Sequence, residues 1–171
     1  MESQDLSAFF YTRKQANDFS ARLSDFAEEV YKTDFNLEKV LIDKLGLEKK
    51  EKFMILLRDL NVNTSSQSAL KDFIAKLQEQ ISKIPVLSLT LSFEPKEETL
   101  KLINDWIMLS LKRQLLLDIS INPDLIAGVV INYNGKFKDY SIRTGFDKIV
   151  SEVVAGGANN SAPTPQHTTT H

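Results

Sequence analysis

The chain has 171 residues, with 21 basic and 23 acidic side chains and a net charge of −2. Both signs are mixed along its length, so there is no basic stripe of the kind that binds phosphate backbones, and nucleic acid is excluded as the expected partner. Cysteine is absent, which removes disulfides, thiolate nucleophiles and cysteine-ligated zinc.

The first half, to about Lys83, is helical by period. Phe9, Phe10 and Tyr11 cluster ahead of the first long helix, with a short helix expected around Leu6 to Tyr11. These aromatics either fill a bundle core or line a groove for a partner helix, and the routine use of such residues in bundles favours the core. Phe19, Leu23, Phe26, Ala27 and Val30 then recur at helical spacing. Leu37, Val40, Leu41 and Leu45 form a shorter stripe that Gly46 is expected to stop as a C′ residue. Phe53, Leu56, Leu57 and Leu60 make a third stripe. Thr64 with Gln67 reads as a capping box, opening a helix with the stripe Leu70, Phe73, Ile74, Leu77 and Ile81.

At Ile84-Pro85 the period changes. Leu87, Leu89, Leu91 and Phe93 alternate with Ser88, Thr90 and Ser92, as in a half-buried strand. Pro95 suits a helix start, Glu97 and Glu98 its positive end, and Lys112 and Arg113 its negative end. Leu100, Ile103 and Ile107 supply the apolar stripe, with Trp106 beside it. Leu115, Leu117, Ile119 and Ile121 alternate again, and strand-helix-strand predicts a parallel pair. Pro123 biases Asn122 toward an extended backbone and ends that strand. Leu125 to Ile131, nearly all apolar, predicts a strand covered on both faces. Asn134-Gly135 supplies a type I′ turn and a returning strand. Phe146, Ile149, Val150 and Val153 predict a final short helix.

The expected fold is therefore α+β. An N-terminal helical bundle spans residues 5–83. A small mixed αβ domain, a parallel β-α-β unit plus a β-hairpin, spans 84–154. Residues 155–171, rich in Gly, Asn, Pro and Thr and free of charged side chains, predict a disordered tail. No apolar run approaches the roughly 18 residues of a membrane span. The first residues, with Glu2 and Asp5, read as neither a signal peptide nor a transit peptide.

Little catalytic chemistry is on offer. His167 and His171 both lie in the tail, so neither a metal site nor a histidine-based triad is expected. There is no GxxxxGK[ST] or GxGxxG stretch, so neither a cofactor nor a nucleotide is expected to bind directly. Asp118 and Asp139, with Ser141 nearby, are the one candidate acid–base pair, as in a small hydrolase or transferase. The alternative makes Asp118 a solvent-facing strand residue and Asp139 an acceptor for local backbone N–H groups or Ser141. The absence of a supporting nucleophile or ligand set favours this second reading.

In order, Ile84-Pro85-Val86, Leu115-Leu116-Leu117-Asp118, Asn122-Pro123-Asp124-Leu125-Ile126-Ala127-Gly128, Asn134-Gly135-Lys136 and Asp139-Tyr140-Ser141 resemble the delta subunit of F-type ATP synthase, the oligomycin-sensitivity-conferring protein family. The resemblance covers roughly residues 84–154. Asn122 stands where the family usually has Asp, and Ala127 where it has the first Gly of a pair, a position where an extended strand would accept Ala. The resemblance implies a structural signature of Asn122, Pro123, Leu125, Ile126, Gly128, Asp139 and Ser141, rather than an active site. It implies a non-catalytic peripheral-stalk subunit whose bundle grips the N-terminal helix of an alpha subunit. The C-terminal region would hold the C-terminal end of the b subunits, so that the head resists torque during proton-driven ATP synthesis. It further implies a peripheral location on the cytoplasmic face of the bacterial membrane, attached through the complex only. A generic helix-binding adaptor of the same fold is the other alternative.

Overall fold

The structure of the chain is a computed structural model that describes residues 6–142. Four helices come first: α1 (Arg13–Glu29), α2 (Leu37–Leu45), α3 (Leu47–Asp59) and α4 (Gln67–Ser82). Each start has a local cause. Thr12 accepts from the Gln15 N–H at 3.1 Å while the Gln15 side chain accepts from the Thr12 N–H at 3.2 Å, a capping box. Asn36 accepts from the Lys39 N–H at 2.9 Å. Gly46, at φ 82°, ends α2 and starts α3 in a single residue. A side chain there would meet open space, so its backbone angle, not packing, calls for glycine.

The expected capping box at Thr64 is displaced. Ser66 is the cap of α4 and accepts from the Ala69 N–H at 3.3 Å, while Asn63 accepts from the Ser65 N–H at 3.1 Å and holds the turn in front of it. Ser66→Ala is therefore expected to cost about 1 kcal/mol and Thr64→Ala almost nothing. Urea unfolding of the two variants checks the assignment, and a larger loss for Thr64→Ala would reverse it.

The bundle core is built on aromatic rings in tilted and edge-to-face contact. Phe26 meets Phe53 edge-on at 6.1 Å and Phe53 meets Phe73 at 5.9 Å. Phe9 and Phe10 are buried in the same core, the latter 5.5 Å from Phe19. The short helix expected around Leu6 to Tyr11 does not form. The Phe9 N–H bonds Leu6 O at 2.9 Å in a single turn, and Tyr11 and Thr12 then run extended. So few residues cannot repay helix nucleation, and aromatic and β-branched side chains favour extension.

The second half is one four-stranded sheet, β1 (Val86–Leu91), β2 (Leu116–Ile121), β3 (Val129–Tyr133) and β4 (Lys136–Asp139), with α5 (Glu97–Leu111) crossing between β1 and β2. The strand order is β2-β1-β3-β4. β1 and β2 are parallel, with Leu89 opposite Ile119, and the other two pairs are antiparallel. Strand alternation gives the sheet two different faces. Leu87, Leu89, Leu117, Ile119 and Ile131 pack on Ile103 and Ile107 of α5. On the other face, Val86 and Leu116 join the bundle core. Farther along that face the residues turn polar, and Thr90 and Ser120 share a 2.8 Å hydrogen bond.

The strand expected from Leu125 begins only at Val129. Pro123–Leu125 is a 3₁₀ turn, Ile126 is exposed, and β3 is half-buried rather than covered on both faces. A proline with an Asn cap before it favours the tight turn over the apolar run's strand preference. The hairpin turn is as expected, with Asn134 at φ 49° and Gly135 at φ 74°. The predicted helix over Phe146 to Val153, the tail and both histidines lie outside the described residues. Among the described residues, no helix is long and apolar enough to cross a membrane.

Candidate functional site

The bundle meets the sheet at its near end, where β1 and β2 begin. All the signature residues gather at the opposite end, where β1, β2 and β4 finish and β3 starts. Asn122 accepts from the Asp124 N–H at 3.0 Å, an Asx turn that sets up the Pro123–Leu125 helical turn. The Ala127 N–H reaches Leu125 O at 2.6 Å, which forces Ile126 to φ 62°, ψ −59°. That is a γ-turn conformation, strained for a β-branched residue. Positive φ thus falls at Ile126 and Gly128 and not at Ala127, so alanine is compatible there although the segment is not the extended strand expected.

Gly128 has a separate reason. Its φ is 103°, and a Cβ would collide with Tyr140 O and lie 2.7 Å from Ser141 Cα. The return strand runs directly over it: the Tyr140 N–H bonds Val129 O and the Ile142 N–H bonds Ala127 O, both at 2.9 Å. Asp139 accepts from the Ser141 N–H at 2.7 Å, and Ser141 is buried. This corner leaves Phe93, Ile121, Ile126, Tyr140 and Ile142 exposed around it.

The acid–base pair is not assembled. Asp118 sits on β2 and Asp139 on β4, with β1 and β3 between them. Three strand spacings and a two-residue offset along the strands put them about 16 Å apart. Asp118 instead faces Arg13 at 3.2 Å on the surface. Among the described residues, no group of three or more His, Asp or Glu side chains is placed to hold a metal.

Sequence reasoning missed the joint between the halves. Thr12 pairs in parallel with Leu117, whose N–H bonds Tyr11 O at 2.9 Å, and the Leu6 N–H bonds the Gln114 side chain at 3.1 Å. Residues 6–12 are therefore a strap along the β2 edge, anchored below by Phe9 and Phe10. The Tyr11 hydroxyl donates to Glu97, which also accepts from Gln15 at 3.0 Å. A cleft of about 410 Å³ remains beside the strap, floored by Leu100, Leu117 and Ile119. The signal was present as a short aromatic, β-prone run, Phe9 to Thr12, but too brief to distinguish strap from helix.

Burial, and then the Glu97 carboxylate, raises the Tyr11 phenol above its ordinary value of 10.0. A raised folded-state pKa favours the protonated, folded form. Its contribution is complete below the ordinary value and is lost as pH climbs through the folded value. Unfolding followed across the alkaline range is expected to show wild type losing stability above that point more steeply than Tyr11→Phe. Parallel curves would remove Tyr11 as the cause.

Residues 50–153, more than half of the chain, match the family model described as the ATP synthase delta (OSCP) subunit. The chain belongs to the ATP synthase delta (OSCP) subunit family. The delta (OSCP) family is that of a structural, non-catalytic subunit of the complex. A subunit delta of ATP synthase from Pseudothermotoga lettingae is 42% identical over 64 residues, covering 37% of this delta-family chain and 35% of the relative. The match thus spans about a third of that relative's length. A chain in the cryo-EM structure of the Toxoplasma gondii mitochondrial ATP synthase hexamer aligns over 95% of this chain and 91% of its own length. Its identity is 13% and its TM-score 0.36, a likeness too loose to build on.

Proposed function

We propose that this chain is the linking piece of the peripheral stalk in an F-type ATP synthase. Residues 5–83 form the unit that takes the N-terminal helix of an alpha subunit on the catalytic head. Residues 84–154 form the unit that holds the C-terminal end of the membrane-anchored b subunits, and 155–171 are a tail. The signature residues Asn122, Pro123, Leu125, Ile126, Gly128, Asp139 and Ser141 shape the far corner of the sheet rather than touch a substrate. The chain sits at the cytoplasmic face of a bacterial membrane, attached through its partners alone, and resists torque during proton-driven synthesis.

The observation that carries this reading is the strap. A torque-bearing link needs two docking ends and a joint between them that does not swivel. Here Leu117 is tied to Tyr11 and Leu116 is buried in the bundle core. The exposed apolar corner lies at the sheet end remote from that joint. Phe9 and Phe10 are buried in the bundle core, so of the three aromatics only Tyr11 is at hand for a partner. The test is co-capture of the whole chain by two immobilised peptides, the alpha N-terminal helix and the b C-terminal end. Capture by both at once supports the link. Capture by neither, with the chain folded, overturns it.

A further inference from the structure

Strand β2 is at the outside of the sheet, with β1 on one side and no strand on the other. The ladder decides which groups face outward. The Leu116 N–H bonds Pro85 O and the Asn122 N–H bonds Leu91 O, so even-numbered residues of β2 turn toward β1. Odd-numbered residues turn their N–H and C=O groups to the open edge. Leu117 gives its N–H to Tyr11 O, but the strap goes no farther, because Thr12 caps α1 and the chain turns away into the helix. Among the described residues, none pairs with the outward groups of Ile119 and Ile121. Neither position carries the lysine or proline that usually blunts a sheet edge.

The cleft beside the strap opens along these two residues, over a floor of Leu100, Leu117 and Ile119. Its volume is about 410 Å³. Spread over the roughly 13 Å from Leu117 to Ile121, that leaves a cross-section of about 30 Å². A helix, about 10 Å across, does not fit, whereas an extended chain does. The rim is acidic. Asp118 is paired with Arg13, which leaves Asp18, Glu94 and Glu97 facing Lys14 alone among the lining residues.

We propose that the β2 edge at Ile119 and Ile121 takes an extended, basic segment of a partner protein as an added strand. The strap already adds to this edge at Leu117, and the partner continues the row where the strap leaves it. Strand alternation sets the pattern of the segment. An apolar side chain lies over Leu100 and Ile119, and Lys or Arg two residues to either side reaches the carboxylates of the rim. Such binding needs no stalk partner, so it stands apart from the stator reading. The contact is short, and half-saturation near about 500 µM is expected.

The probe is the capped pentapeptide Lys-Thr-Val-Thr-Lys, titrated into the isotope-labelled full chain and followed by NMR. At about 5 mM peptide the Ile119 and Ile121 amides should shift downfield and exchange about tenfold more slowly. The other outer strand, β4, carries Lys136 and Lys138 and should not respond. Glu-Thr-Val-Thr-Glu should not bind. Glu94→Lys, at an exposed position, should weaken the lysine peptide about threefold. Ile121→Pro removes an outward N–H without breaking a sheet bond, and should weaken binding about fivefold. Unmoved Ile119 and Ile121 amides at about 5 mM peptide overturn the proposal, even if the carboxylates of the rim respond. So does equal binding of the glutamate peptide, equal slowing by a helical Ala-Lys peptide of the same charge, or full affinity in a folded Ile121→Pro chain.

Discussion

Gly128→Ala is expected to destabilise the chain by about 3 kcal/mol, because left-handed backbone costs an alanine about 1–2 kcal/mol and a clash adds about 1–3. The clash is with main chain, Tyr140 O and Ser141 Cα, so no side chain can swing away to relieve it. Gly135→Ala is the control. Its φ is also positive, at 74°, but nothing lies within 4 Å of the added carbon. Only the backbone term applies there, and about 1 kcal/mol is expected. Urea unfolding midpoints compare the two, and equal losses would mean that the Tyr140–Ser141 backbone yields. Ile126→Gly should run the other way, gaining about 1 kcal/mol by relieving the γ-turn.

These three substitutions mark where the sequence was legible and where it was not. Asn134-Gly135 announces its own turn, because both residue types tolerate positive φ and the flanking strands leave no other use for them. The helical stripes were equally plain, since each apolar position answers to one period. The corner at Ile126 was hidden because an apolar run reads as a strand by composition. It is a turn because Asn122 and Pro123 act on the backbone first. Gly128 looked like a letter of a family signature, yet its requirement comes from a strand that returns a dozen residues later. Trp106 was placed beside the inner stripe, whereas Leu102 and Leu109 put it on an outer one. The strap was invisible for a different reason. Its partner, Leu117, is more than a hundred residues away, and no local pattern encodes a long-range edge pairing.

Phe10→Ala is expected to have the other large effect, a loss of about 3–4 kcal/mol from truncating a fully buried aromatic. Phe53→Ala should cost a similar amount, since both rings are almost wholly buried in the bundle core. The two differ in what else they release. Phe53 lies on α3 within the bundle core, and its loss loosens the bundle as a whole. Phe10 is joined through Tyr11 to the Leu117 N–H, so its loss also frees the strap from the β2 edge. Native-state hydrogen exchange separates the cases. In Phe10→Ala the Leu117 amide should exchange more than tenfold faster relative to amides of the central strand β1, through a local opening. In Phe53→Ala it should follow the global unfolding of that variant. If Leu117 stays protected in both, the strap is held by the β2 edge itself rather than by its aromatic anchor. The joint would then be set by backbone pairing and the Tyr11, Gln15 and Glu97 contacts, and Tyr11, not Phe10, would be the residue whose removal lets the two halves turn against each other.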